Sequence, residues 1–202
     1  AKHVELGAMT RHADVARSAE LRRALPALAA LAGGIGDPLV RNRGTIGGSI
    51  SNNDPAADYP SAMLALNANI ITDKRTIAAD KFFKGLFETA LKDGEIVTAI
   101  EFTAPAKAAY SKFPNPASRY AMAGVFVAKD KAGTRVAVTG AGESGVYRHK
   151  GLEAALDKKF DASSVDSVKV DGKGLMSDMH ASADYRAALI KVMAKRAVAA
   201  AG

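Results

Sequence analysis

Hydrophobic and polar positions along this chain follow two different periods, and together they predict both strands and helices. Runs in which apolar and polar residues alternate are typical of strands, while apolar residues three or four positions apart are typical of helices. The alternating or β-rich runs are 4–8, 69–72, 76–78, 96–102, 110–113, 124–128 and 135–139. The helical patterns are 11–17, 26–33, 56–66, about 80–84, 152–156 and 183–200. The glycine-punctuated segment 37–53 between them is predicted to be a loop.

Capping residues refine these boundaries. Ser18 is a candidate N-cap, and Pro26 suits the first turn of a new helix, which the glycines after Ala32 would end. Asp80 is expected to cap a short helix in the same way. In the last helix, apolar residues at i, i+4, i+7 and i+8 spacing predict the buried face. These residues are Tyr185, Leu189, Val192 and Met193.

Strands that come in clusters between helices favour an α+β fold with antiparallel sheets. The segment 104–107, Ala-Pro-Ala-Lys, is short, small and proline-bearing, and is therefore the best internal boundary. We predict two domains, 1–104 and 105–202, each with a small antiparallel sheet packed with helices.

Composition excludes several classes of protein. No apolar run among the 202 residues approaches the roughly 18 to 20 needed to span a membrane. The chain has no cysteine, which excludes disulfides and Cys-ligated metal centres and is compatible with a cytoplasmic location. Its four histidines do not pair at metal-ligand spacing, so no metal site is predicted.

The net charge of +7 raises the hypothesis of nucleic-acid binding. The basic residues are dispersed, however, and no aromatic residues are interleaved with them to stack on bases. A solvated basic surface, or a dock for an acidic partner, fits this pattern better, and no nucleic-acid partner is predicted.

The pair Gly47-Gly48 is the main candidate for chemistry. Adjacent glycines allow close approach of a bulky partner, and successive N–H groups can form a nest for an anion. A plain turn is the alternative. The sequence contains neither a Rossmann fingerprint nor a P-loop lysine at this point.

Three other groups of polar residues could have a functional role, but each also has a purely structural explanation. Asp54 and Asp58 could be a carboxylate pair, but such residues more often start a helix, and Asp58 suits the hydroxyls of a ribityl or ribose group. Lys112 could simply be a surface lysine. The Ser-Asp-Met-His-Ala-Ser run at 177–182 reads as a polar cap before the last helix rather than a catalytic triad.

The longer pattern around the glycines is more specific. The run GDPLVRNRGTIGGS at 36–49, followed by DPAADYP at 54–60, resembles the flavin-binding medium subunit of molybdenum hydroxylases, with the carbon monoxide dehydrogenase group the most similar in appearance. Matching segments elsewhere extend the resemblance over nearly the whole chain. It implies a middle FAD-binding domain followed by a C-terminal flavoprotein domain.

The resemblance also implies which residues bind FAD. Thr45, Ile46, Gly47, Gly48 and Ser49 would form the second flavin loop, near the pyrophosphate. Three further positions match flavin contacts of the family: Asp58, Val97 and Lys112. The family commonly has Asn where this chain has Ser49. No acid–base catalytic side chain is expected.

By resemblance, the function is that of an electron-transfer subunit of a cytoplasmic oxidoreductase. Electrons would pass from a large molybdenum-cofactor subunit through a small iron–sulfur subunit to FAD. The protein would orient the flavin and tune its electronics.

One departure from the family pattern changes this expectation. The family has a first flavin loop, Ala-Gly-Gly followed by His or Thr, in a domain that precedes these segments, and Ala32-Gly33-Gly34 is not its substitute. We therefore expect a fragment of a longer subunit that is inactive and binds FAD poorly on its own. The competing hypothesis is a scaffold or interaction fragment without flavin.

Overall fold

A computed structural model describes residues 2–202 and contains two four-stranded antiparallel sheets and a two-stranded ribbon. The strands are β1 (His3–Gly7), β2 (Asn69–Thr72), β3 (Thr76–Ala78), β4 (Phe83–Gly85), β5 (Glu88–Thr89), β6 (Val97–Thr103), β7 (Lys107–Pro114), β8 (Ala121–Asp130), β9 (Gly133–Thr139) and β10 (Tyr147–Arg148). The helices are α1 (His12–Arg17), α2 (Ala19–Ala24), α3 (Pro26–Gly33), α4 (Pro38–Arg43), α5 (Ile46–Asn52), α6 (Tyr59–Ala65), α7 (Ala79–Phe82), α8 (Lys150–Lys158) and α9 (Ala183–Ala200), with a 3-10 helix at Ala162–Ser167. The predicted α+β class is confirmed.

The first sheet has the strand order β1-β6-β2-β3. Two of the helices between β1 and β2 begin at the predicted residues: the Ser18 side chain caps α2 by accepting a hydrogen bond from the Leu21 N–H, and Pro26 opens α3. Helices α3 and α6 and the inner face of this sheet form one apolar core around Leu28, Met63 and Ile100.

The second sheet has the order β10-β9-β8-β7 and is buried on both faces. Phe126 and Ala128 of β8 point into the first core, while Val125 and Val127 point into a second core beneath α8 and α9. The second sheet therefore lies between α3 and α6 on one side and α8 and α9 on the other. The predicted division at residues 104–105 falls in the connection between β6 and β7, and it stays a prediction.

The segment predicted as a loop, 37–53, instead contains α4 and α5. The Asp37 carboxylate caps α4 by accepting from the Val40 N–H at 2.8 Å, with Pro38 in its first turn. The Thr45 hydroxyl caps α5 in the same way, accepting from the Gly48 N–H at 3.1 Å. Both caps are visible in the sequence. Glycine's low helix propensity argued against a helix at α5, whereas α4 contains no glycine and lies between Gly36 and Gly44.

Two predicted helix starts were also wrong. Helix α6 begins at Tyr59 rather than near residue 56, because the Asp54 carboxylate bonds the Ala56 N–H in a local turn. Asp80 lies inside the first turn of α7, whose N-cap is Ala78 and whose last residue is Phe82.

Helix α9 has the predicted bounds but a different buried face. Leu189 and Met193 are buried as predicted, whereas Tyr185 and Val192 are 47% and 41% exposed. The second core instead receives smaller residues from this helix, such as Ala194 and Ala197. Among residues 2–202, no helix is long and apolar enough to cross a membrane.

Candidate functional site

A cavity of about 410 Å³ opens between the α4–α5 segment and the loop that joins β7 to β8. Its lining also includes His12 of α1 and the segment around Asp54 and Asp58 that leads into α6. The cavity thus lies where helices of the first core meet the edge of the second sheet. Its volume is in the range typical of small-molecule sites, roughly 300–1,000 Å³.

The two adjacent glycines serve different purposes. A Cβ at Gly47 would lie 2.5 Å from the Ala8 Cβ and 2.7 Å from its carbonyl oxygen, so this glycine admits the end of β1. Gly48 lines the cavity, and a Cβ there would meet only the Thr45 hydroxyl, at 3.0 Å. Of the two glycines, therefore, only Gly48 leaves room for a molecule in the cavity.

The N–H groups at the start of α5 already have partners within the chain. The Ile46 N–H donates to the Thr10 carbonyl at 3.0 Å, and the Gly47 N–H donates to the Ala8 carbonyl at 2.8 Å. The Gly48 N–H is taken by the Thr45 cap. The predicted anion nest is not open at these three groups. The Ile46 and Gly47 N–H groups fasten α5 to the loop after β1, and the Gly48 N–H completes the N-cap of α5.

Asp58 is a buried polar side chain of the cavity lining, and both of its carboxylate oxygens accept hydrogen bonds. Only 4% of it is exposed, and the two oxygens of its carboxylate accept from different residues of β7: the Tyr110 hydroxyl donates to Oδ1, and the Lys112 Nζ donates to Oδ2 at 3.0 Å. Lys112 also donates to the Gly34 carbonyl at 2.9 Å. Burial raises the pKa of Asp58, although Lys112 and Tyr110, which favour the carboxylate, oppose the increase.

His12 forms part of the cavity wall with its ring packed closely on its neighbours. Any Cβ at Gly44 would overlap this ring, and the ring lies 5.3 Å from that of Tyr59, centroid to centroid. Burial, and then the charge of Arg41, lower the pKa of His12. The imidazole is therefore neutral at pH 7.

The β7–β8 loop brings Arg119 and Tyr120 to the cavity. Arg119 has a left-handed backbone with φ of 63°, and its guanidinium donates to the Gly36 carbonyl at 3.2 Å. The Asn115 carboxamide stabilises the loop by accepting from two N–H groups within it. Arg43, on the other side, is a second cation in the lining.

Of the eight residues predicted to contact the flavin, some line this cavity and others do not. Ile46 and Gly47 are buried behind the lining, and Lys112 reaches it through Asp58. Val97 begins β6, pairs with Thr72 of β2 and does not line the cavity. The four that do line it are Thr45, Gly48, Ser49 and Asp58.

Sequence reasoning missed His12, Arg119, Tyr110 and Tyr120. Only Tyr110 carried a usable signal: it lies two positions before Lys112 in a predicted strand, and such residues share a face. His12 and the loop residues reach the cavity through tertiary packing, which no local pattern reveals.

Among residues 2–202, one group of side chains outside the cavity has donor atoms suited to a metal. His3, Glu5 and Glu101 place such atoms within 4.8 Å of one another on the first sheet. His3 and Glu5 are exposed, and His3 Nε2 lies 3.8 Å from the Glu101 carboxylate, as in a surface ion pair. The predicted lack of a metal site stays a prediction.

Comparison with known proteins gives consistent matches. The family described as "FAD binding domain in molybdopterin dehydrogenase" matches residues 1–105. The carbon monoxide dehydrogenase medium chain of Hydrogenophaga pseudoflava is 34% identical over 213 residues, covering 98% of this chain and 74% of the relative. The nicotine 6-hydroxylase medium subunit of Paenarthrobacter nicotinovorans is 31% identical over 215 residues, covering 99% and 75%.

Solved structures agree with these relatives. The carbon monoxide dehydrogenase of Hydrogenophaga pseudoflava that lacks the Mo-pyranopterin moiety of its cofactor contains a chain with a TM-score of 0.87 and 34% identity. The match covers 100% of this chain and 75% of that one. This chain therefore belongs to the FAD-binding family of molybdopterin dehydrogenases, as its sequence resemblance had indicated.

Proposed function

We propose that this chain holds FAD in the cavity beside α5 and acts as the electron-transfer part of a molybdenum hydroxylase of the carbon monoxide dehydrogenase type. The observation that carries the proposal is that Thr45, Gly48, Ser49 and Asp58 line one cavity. They come from two separate segments of the chain. Their convergence supports flavin contacts that family resemblance alone suggested.

The chemistry of the lining fits FAD. Gly48 leaves space where a side chain would project, and Asp58 offers carboxylate lone pairs suited to ribityl or ribose hydroxyls. Arg43 and Arg119 supply positive charge for a pyrophosphate, and the negative charge of Asp58 is already compensated by Lys112. Neutral His12 and the apolar side chains Ile35 and Val40 supply a surface for a ring system.

Within this proposal the residues of the chain bind, orient and shield the cofactor. Thr45 and Ser49 offer hydroxyls at the start of α5, and Lys112 fixes the Asp58 carboxylate. Ile46 and Gly47 anchor α5 from behind, while Val97 acts at most through the packing of β6. When bound, FAD supplies the redox chemistry, and no side chain is required as an acid or base.

The partners we propose are a large molybdenum-cofactor subunit and a small iron–sulfur subunit, from which FAD would receive electrons in the cytoplasm. The names of the relatives, "medium chain" and "medium subunit", support an assembly of this kind. The test is anaerobic reconstitution with both partners, followed by the flavin absorbance. Flavin bleaching by substrate that requires the iron–sulfur subunit is expected, and bleaching without it would contradict the proposal.

FAD binding itself is tested by titrating the purified chain with FAD and measuring flavin fluorescence. Gly48→Val should weaken binding at least tenfold, because the new side chain occupies the cavity. Gly85→Val, in β4 outside the cavity lining, is the matched control and should stay within twofold of the wild type. Equal affinities for both variants would place FAD elsewhere.

A scaffold that binds no FAD alone is the second candidate. It is favoured by the internal hydrogen bonds of the Ile46, Gly47 and Gly48 N–H groups, which leave fewer donors for a pyrophosphate. This candidate predicts that the isolated chain purifies without flavin and shows no saturable binding up to millimolar FAD. Copurification with stoichiometric FAD would eliminate it.

A further inference from the structure

The Tyr110 hydroxyl bonds the carboxylate of Asp58, a residue that lines the cavity and also contacts the second sheet. Tyr110 and Lys112 lie two residues apart on β7 and therefore project from the same face of the strand. Each donates to a different oxygen of Asp58. Together they clamp the carboxylate from one side, and its remaining lone pairs are left for the cavity.

The structure makes specific room for this hydroxyl. Gly124 of β8 is the cross-strand partner of Lys112, and a Cβ at Gly124 would overlap the Tyr110 oxygen. The Tyr110 ring also stacks on that of Phe126, with 6.1 Å between centroids. The phenol is thus fixed at both ends, with its ring held by the core and its oxygen by Asp58.

Asp58 needs such a partner. It occupies the N-cap position of α6, yet its side chain makes no capping hydrogen bond, so its position is set by β7 and not by its own helix. Without the Tyr110 hydroxyl, Oδ1 would lose its bonded donor in a site that water hardly reaches. An unsatisfied buried carboxylate oxygen is costly, and the side chain would rotate or take up a proton.

From this geometry we propose that Tyr110 is a positioning residue for FAD, which acts by holding the Asp58 carboxylate towards the cavity. The inference rests on the proposed function and deepens it. Tyr110 does not line the cavity and is not a catalytic residue. Its effect on the cofactor passes through Asp58.

The first test needs no flavin. In protein labelled with ¹³C at the aspartate carboxyl groups, the Asp58 signal is identified by its absence from Asp58→Asn and followed with pH. Lys112 and Tyr110 act on the Asp58 carboxyl, and the charge of Asp58 in turn acts on Tyr59 and Tyr120. Tyr110→Phe should raise the midpoint by about one pH unit, because a donor that favours the carboxylate is lost.

Two companion variants separate positioning from general destabilisation. Gly124→Ala keeps both side chains but displaces the hydroxyl, so it should move the Asp58 midpoint in the same direction as Tyr110→Phe. Tyr147→Phe removes the hydroxyl of a half-buried tyrosine on β10, outside this site, and should leave the midpoint unchanged. An unchanged midpoint in Tyr110→Phe would overturn the inference.

The second test is a double-mutant cycle on FAD affinity. Tyr110→Phe should raise the dissociation constant for FAD about tenfold, which corresponds to the loss of one charge-assisted hydrogen bond. In the Asp58→Asn background the same change should have less than a twofold effect, because its target is gone. An equal loss in both backgrounds would overturn the route through Asp58.

A wild-type chain without FAD binding would overturn the proposed function, and the carboxyl titration would still decide whether Tyr110 controls Asp58.

Discussion

At the scale of single residues, neighbouring identical amino acids perform different tasks. Gly47 is needed because the chain packs against itself, whereas Gly48 faces the cavity. The sequence indicated that this pair was special but attributed both glycines to a ligand. No local pattern distinguishes them, because Ala8, which fills the space beside Gly47, lies 39 positions earlier.

Replacement of Gly47 by alanine should therefore destabilise the fold by about 1–3 kcal/mol, the usual cost of overpacking a filled site. Thermal and urea unfolding measure this loss. Gly33→Ala is the control: it also lies in a helix, but its Cβ would meet Ala16 at an ordinary 3.8 Å. Gly33→Ala should be neutral or stabilising, and equal losses in both variants would contradict our packing account.

At the scale of elements, the sequence predicted the strands and helices whose pattern or capping residue lies within the element itself. Alternating or β-rich runs gave β2, β3 and β6 within a residue or so, and Ser18 and Pro26 correctly marked two helix starts. Helices α4 and α5 were missed because Gly47 and Gly48 argue against a helix at α5, and because α4 is a short helix between Gly36 and Gly44. Their stability comes from caps and from bonds to Ala8 and Thr10. Of the residues that line the cavity, the sequence predicted Thr45, Gly48, Ser49 and Asp58. The others reach it through tertiary packing.

One element-level contact gives a prediction for pH. The Glu95 carboxylate accepts from Thr72, from Arg75 and from the Lys92 N–H, and so joins the β2–β3 turn to the loop before β6. Hydrogen bonds from Arg75 first, and then from Lys92, lower the pKa of Glu95 to about 2, from an ordinary value of 4.5. Its stabilising contribution is therefore fully present above about pH 4.5 and is lost as the pH falls towards 2.

Glu95→Gln should consequently be less stable than the wild type at pH 7, and the difference should shrink between pH 4.5 and pH 2. Urea unfolding at several pH values measures it. Glu88→Gln, which replaces an exposed side chain on β5, is the control and should stay within about 0.5 kcal/mol of the wild type at pH 7. A gap between Glu95→Gln and the wild type that stays constant down to pH 2 would refute the assignment.

At the scale of the whole molecule, the second sheet is the common wall of two cores. Sequence patterns found β7, β8 and β9 but missed β10, and they did not reveal the double burial, because a strand buried on both faces does not show a clean alternation. The residues of β8 nevertheless divide by parity, with Phe126 on the side of α6 and Val125 on the side of α9. The cavity lies beside this wall, which fixes Asp58 through β7.

Phe126→Ala should destabilise the chain by about 3–5 kcal/mol, the cost of a large cavity in a core. Because both cores share β8, we expect one cooperative unfolding transition, shifted as a whole, in the wild type and in the variant. Calorimetry would detect it. Two separate transitions, only one of which is shifted by Phe126→Ala, would show that the halves unfold independently.

The double burial of the second sheet limits how such a chain can be recombined in evolution. A cut at the proposed boundary near residue 104 follows the connectivity of the chain, yet it would leave Phe126, Ala128 and Ala137 facing water. A gene fusion that exchanged only the second half would have to supply an apolar surface complementary to these three side chains. We therefore expect the two halves to be inherited together, as one evolutionary unit.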